Sequence, residues 1–342
     1  MSAVVSKRYN SIDIFRLVCA VLIVSIHTHP LSEVSSFADH LISGIIARFA
    51  VPFFLVVSGY FYFDKLNNAG PKAVFPFLKK IIIIYSIWSI PYLLLELAAH
   101  YNEQPVWNIL SKFMIDFLFF GSRYHFWYFP ALIYSVIIIT LLFIIFRKKH
   151  FPYIIISIAL FIIGCLMSCY TEWGNHIPLI QQMNAYEKFY VIRRIFFTGL
   201  PFLMLGAVIR GYSKTVFAVK KYRAFIMLAV ASALYLTEML VLYLVFNVEE
   251  VICFSLYPLV AMILIVLLQH PLKTKNKLGY NSRLLANFMY YTHPLFIFII
   301  QRISKMMGHE IESGTIMFFL VVALCVIIGY LLIKTPIKKI IA

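Results

Sequence analysis

Charge is what this chain has least of. Only 13% of its 342 residues are Asp, Glu, Lys or Arg, about half the share of a soluble globular domain. So few charges cannot coat a water-facing surface of this size. Acidic residues are the scarcer sign, 14 against 30 basic ones, for a net charge of +16. That excess is spread along successive loops and forms no single basic patch, which argues against nucleic acid as a partner. Cysteine is sparse too, and Cys19, Cys165, Cys169, Cys253 and Cys325 all fall inside apolar runs. They lack both a disulfide framework and metal-ligand spacing, and read as small buried apolar residues. The first apolar run carries Arg16, and no small-residue cleavage site follows it, so no removable signal peptide is expected. Low-complexity tracts, internal repeats and polar stretches long enough for a soluble domain are absent from the sequence.

What is present is apolar. Hydrophobic residues make up 62% of the chain and mean hydropathy is +0.89. The expected class is an all-α, polytopic membrane helix bundle of about ten transmembrane helices, each near the length a bilayer demands. The segments are roughly 12–29, 41–63, 77–99, 126–146, 152–170, 194–210, 223–246, 251–269, 284–304 and 314–333. The stretch 108–120 is apolar but short, and reads as an interfacial or re-entrant helix. Residues 1–342 thus form one transmembrane domain with no soluble domain.

Basic residues orient it. With the N-terminus in the cytoplasm, the inner segments carry Lys7, Arg8, Lys65, Lys72, Lys79, Lys80, Arg147, Lys148, Lys149, Arg210, Lys214, Lys220, Lys221, Arg223, Lys273, Lys275, Lys277, Arg283, Lys334, Lys338 and Lys339. The outer segments carry only Lys112, Arg123, Lys188, Arg193, Arg194, Arg302 and Lys305. Acids lean outward, as at Glu33, Asp39, Glu103, Asp116, Glu172, Glu187, Glu249, Glu250, Glu310 and Glu312. This is the positive-inside pattern, and it predicts both termini in the cytoplasm. Membrane lipids are the expected partners of the net charge.

Against so apolar a background, each charge within a span calls for an account. Arg16 and His27 are eleven positions apart in SIDIFRLVCAVLIVSIHTHP. That is close to three helical turns, so both face the same way, about 16 Å apart along the axis. His27 is a candidate general base, because an imidazole titrates near neutrality. Arg16 offers a planar fork for an anion such as a phosphate, and Asp13 stands at the spacing of an i,i+3 ion pair. His29 has no comparable partner and reads as an interfacial residue. Arg48 precedes Pro52 by four residues, so a freed carbonyl and a cation come close. Ser58 and Gly59 bring small residues to a helix contact. Arg123, His125, Trp127 and Tyr128 crowd the start of a span, either as an aromatic belt or as part of a binding site. Arg193 and Arg194 oppose the inward bias of the cations and suit either recognition of an anionic group or a salt bridge to an outer acid. Glu96 and Glu238 are either proton relays or partners of buried arginines. His293 precedes Pro294 inside a span, as a core histidine beside a kink or as a site residue. No metal site is expected.

These residues together resemble the acyltransferase-3 family. The resemblance rests on the Arg16-x10-His27 helix, the segment containing Phe53, Phe54, Ser58 and Gly59, the HFWYFP start of a span, and the late THPLF containing His293. It covers nearly the whole chain. FAVPFFLVVSGYFYF and YHFWYFPALIY further resemble the N-terminal membrane domain of VanT-type membrane-bound serine racemases. The family likeness implies transfer of an acyl group from a cytoplasmic acyl-CoA to a hydroxyl of an outward-facing small-molecule or cell-envelope acceptor. His27 would then match the essential histidine and Arg16 the arginine paired with it. Acyl-CoA would be a co-substrate, with no tightly bound cofactor. Lys79 and Lys80 fall where the family often has an RxxR motif for the CoA phosphates, but Ile83 stands three positions after Lys80, so the motif is incomplete. The VanT-type likeness implies an alternative, a domain that takes up L-serine for a cytoplasmic racemase domain fused or associated at the C-terminus, in vancomycin resistance. Arg16 or Arg48, with Glu238 or Asp13, would then hold the zwitterion.

Overall fold

The computed structural model describes residues 9–146, 149–186, 189–272, 276–309 and 311–342. Lys7, Arg8, Arg147, Lys148, Glu187, Lys188, Lys273, Lys275 and Glu310, used above for orientation, lie outside the described residues. Among the described residues every regular element is helical. The main helices are α1 (Asn10–Thr28), α2 (Ala50–Ala69), α3 (Val74–His100), α4 (Val106–Ile115), α5 (Tyr128–Phe146), α6 (Phe151–Leu166), α7 (Leu200–Gly211), α8 (Lys221–Phe246), α9 (Leu256–Gln269), α10 (Asn276–Met306) and α11 (Thr315–Ile333).

Among the described residues, seven stretches are long and apolar enough to cross a membrane by length and composition. The difference from about ten has two sources. The stretch Ser36–His100 is helical through its 65 residues and contains the segments expected at 41–63 and 77–99, joined by the polar residues 64–72. The helices Phe151–Leu166 and Leu256–Gln269 are apolar, but shorter than the roughly 20 residues that span a bilayer. The piece expected to be re-entrant or interfacial is α4 followed by the π-helical turn Asp116–Phe120. It folds back on α3, where Tyr85 stacks on Phe117 at 4.2 Å and donates its hydroxyl to the Phe117 carbonyl at 2.9 Å.

The chain forms two compact units. The first comprises Met1–Ala50, Val219–Ala229 and Met262–Ala342. In it α1 lies against α10, α11 and the non-α stretch at 40–49. Ser11 at the start of α1 donates to the Leu267 carbonyl at 2.7 Å. Gly279 of α10 sits so near Asn10 that a Cβ there would lie 2.4 Å from its Oδ1. At the far end, the Gly314 amide donates to the Thr28 carbonyl at 2.6 Å, and Thr315 donates to the Pro30 carbonyl. The first helix is thereby tied at both ends to segments from the last third of the chain.

The second unit comprises Val51–Ala218 and Val230–Ala261. Its centre is α7, which packs on α5, on α6 and on the π-helical turn Arg193–Gly199. Two glycines let α2 and α7 touch backbone to backbone. A Cβ on Gly59 would fall 2.0 Å from the Leu203 carbonyl oxygen, and one on Gly206 would fall 2.0 Å from that of Val56. The Ser58-Gly59 pair is therefore half of a close helix crossing. Around it Tyr62, Phe63, Leu132, Val136, Tyr153, Leu203 and Met204 form a continuous apolar core.

Candidate functional site

The candidate residues of the first unit lie at the two ends of α1. Asp13 in the first turn of α1 complements the positive end of the helix dipole, and Arg16 reaches it at 3.5 Å. His27 lies in the last turn, half-buried. The helix stops at His29, which adopts a left-handed conformation at φ 49 and donates its backbone amide to the Ser25 carbonyl. Helices often close with a left-handed residue, but glycine usually takes that place.

The chain then turns back through three kinds of helix. Residues His40–Ile45 form a π-helical turn, Ile46–Phe49 a 3-10 turn, and regular α-helix begins at Ala50. Pro52 is therefore in the first turn of α2, where a backbone donor is not needed. The break expected inside a continuous span is instead a helix start. Arg48 sits in the 3-10 turn, and its neighbour Phe49 stacks on Phe15 of α1 at 6.1 Å. This places the Arg48 charge within electrostatic range of His27.

His293 enters from α10. Its ring is completely buried and stacks on His27, with centroids 5.2 Å apart and planes 25° from parallel. Its Nδ1 lies 2.9 Å from the Met289 carbonyl oxygen. That oxygen can only accept, so Nδ1 carries the hydrogen and the tautomer is fixed. The structure thus joins His27, Arg48 and His293 at one end of α1. Arg16 and Asp13 occupy the other end of the same helix.

One residue is placed otherwise than the sequence suggested. His29 is paired: its Nδ1 lies 2.8 Å from the Asp39 Oδ2. Asp39 is buried and also accepts from the Leu31 amide at 3.1 Å and from the Ser43 hydroxyl at 3.3 Å. Ser43, four positions after Asp39, is where helical periodicity brings a side chain onto it, whereas the His29 contact depends on the left-handed turn at His29, which leaves no periodic signal.

The remaining candidates belong to the second unit. Ser58 shares a hydrogen bond with the Tyr128 hydroxyl at 3.0 Å. Arg194 stands over the Trp127 ring at 5.4 Å, and Arg123 over Tyr124 at 5.6 Å, with Glu96 4.0 Å from Arg123. Arg193 donates to the Met167 carbonyl at 2.8 Å, which occupies one of its donors within the fold. Glu238 accepts from the Tyr170 hydroxyl and from the amides of Phe254 and Ser255, at 2.9 and 2.7 Å. It caps the start of α9. Lys79 and Lys80 lie exposed on α3. No group of three or more His, Cys, Asp or Glu that could hold a metal occurs among the described residues.

The chain belongs to the acyltransferase-3 family: a family model described as an acyltransferase domain matches residues 9–334. Several apolar helices and this family together mark it as a membrane protein. Among curated proteins, it is similar to an amino-acid racemase of Enterococcus faecalis, 31% identical over 332 residues, covering 93% of this chain and 45% of that protein. It is also similar to a serine/alanine racemase of Enterococcus gallinarum, 29% identical over 343 residues, covering 92% of this chain and 45% of that one. The chain thus spans less than half the length of these relatives. No solved structure matches it.

Proposed function

We propose that this chain is a multi-pass acyltransferase of the cell membrane, with about ten spans and both termini cytoplasmic. It moves an acyl group from a cytoplasmic acyl-CoA to a hydroxyl on the outer side. The observation that carries this reading is the stacked His27–His293 pair beside Arg48, in a unit whose first helix also bears Arg16. His27 accepts the proton of the acceptor hydroxyl. The oxygen attacks the thioester carbonyl, a C–O bond forms and the C–S bond breaks. The CoA thiolate leaves and takes up the proton. Arg48 stabilises the negative charge that develops on the carbonyl oxygen, as a fixed cation does best in a dry site. Arg16, on the same helix as His27, meets the charge of the donor phosphates.

On this reading His27→Ala lowers turnover by about 10²–10⁴-fold, the usual worth of a general base, and leaves acyl-CoA affinity nearly level. Arg16→Ala weakens donor binding. Full turnover in His27→Ala, measured with a working acceptor, would falsify this mechanism.

A second reading is favoured by the two racemases, which match over 92–93% of this chain. In it the chain is a membrane domain that admits L-serine to a cytoplasmic racemase domain, fused or associated at its C-terminus, as in vancomycin resistance. Titrating the purified protein with acetyl-CoA and with L-serine separates the two: saturable binding of acetyl-CoA supports transfer, and saturable binding of L-serine alone supports supply.

A further inference from the structure

The pair His29–Asp39 is built with more care than a surface ion pair requires. Asp39 is buried, and its two oxygens are engaged by three groups, the His29 ring, the Leu31 amide and the Ser43 hydroxyl. A carboxylate so held has a fixed direction, and a carboxylate oxygen only accepts. The Nδ1 of the His29 ring therefore carries a hydrogen, and in the neutral imidazole Nε2 presents a lone pair. The side chain is half-exposed, at 50%, while that of Asp39 is 9% exposed, so the ring is anchored at one edge and open at the other. The backbone points the same way. His29 holds φ 49, one of two non-glycine residues with positive φ among the described residues. Glycine would fill that conformation at lower cost. The following loop is also clamped, because Thr28 and Pro30 accept from Gly314 and Thr315. The result is an imidazole in a fixed tautomer and orientation, two residues beyond His27 and within electrostatic range of it.

We propose that His29 is a positioning residue for the acceptor. Its Nε2 accepts a hydrogen bond from one hydroxyl of a polyhydroxylated, outward-lying acceptor while another hydroxyl is presented to His27. This rests on the acyl-transfer reading and adds a positioning residue to it. Asp39 acts through His29 by holding the ring.

The test uses the full chain in lipid nanodiscs, with acetyl-CoA as donor and methyl glucoside as acceptor. His29→Gly suits the left-handed backbone but removes one partner of the buried Asp39, so its melting temperature is expected to stay near that of the parent. It should nevertheless raise the KM for the glucoside about ten-fold or more and leave the KM for acetyl-CoA unchanged. His29→Gln, whose amide oxygen also accepts, should recover part of that loss, and Asp39→Asn should show an intermediate rise. A second readout needs no turnover. With ¹⁵N-labelled histidine, the His29 Nε2 signal should shift on addition of methyl glucoside without donor, and the shift should shrink in Asp39→Asn. A shift without any CoA release would keep the positioning role and overturn the transferase reading. CoA release with a still His29 signal and an unchanged glucoside KM in His29→Gly would overturn the positioning role alone. A still signal without CoA release would overturn both.

Discussion

That Arg16 and His27 share one helix is legible in the sequence, because they stand eleven residues apart and periodicity alone relates them. His293 could be noticed but not placed. The residue it stacks on is far away in sequence, and no local spacing encodes that contact. From sequence Asp39 reads only as an outer acid, because its pairing with His29 depends on a left-handed turn that leaves no periodic trace. At this same scale, His150 gives a prediction about pH. It lies between α5 and α6, with rings of Phe63 and Tyr212 each 5.6 Å away, and burial holds its imidazole below the ordinary histidine range. In the unfolded chain it takes up a proton near pH 6.5, and in the folded chain only at lower pH. Its contribution to stability is thus present above about pH 6.5 and is lost as pH falls towards the folded value. His150→Phe should flatten the acid limb of melting temperature against pH between about 7 and 5. An unchanged slope would mean that another group governs that limb.

At the scale of the element, helix existence was the most legible property and helix type the least. Every expected span falls on a helix, yet the second one changes from π to 3-10 to α, and Pro52 begins a helix where a break was expected. Small residues signalled the α2–α7 contact, but only the fold supplies Gly206 as the partner of Gly59. Gly206→Leu should lower stability by about 1–3 kcal/mol, the usual cost of overpacking, because the new side chain meets the Val56 carbonyl. A melting temperature equal to the parent's would show that α2 and α7 do not meet as described. The Glu238 cap gives a companion test. Glu238→Ala leaves the Phe254 and Ser255 amides without their carboxylate and should cost about 1–3 kcal/mol, the worth of hydrogen bonds to a charged group. If its loss abolished acyl transfer with no change in stability, Glu238 would belong to the chemistry and not to the scaffold.

At the scale of the molecule, composition sufficed for the class, and loop charge supplied a topology that hydropathy by itself cannot orient. A cysteine placed at Lys149 should resist a membrane-impermeant thiol reagent applied to intact cells, and one placed at Asn175 should react. The reverse labelling would invert the proposed orientation.

The attachment of α1 to α10 and α11 also bears on how the protein is made. At roughly 5–20 residues per second, the ribosome delivers His293 between about a quarter of a minute and a minute after His27. Through that interval the first helix carries Arg16 without the segments that later pack against it. A nascent chain arrested before α10 should therefore depend on an insertase or membrane chaperone to hold α1, and a chain cut short within α11 should be recognised as defective although most of its length is already in place.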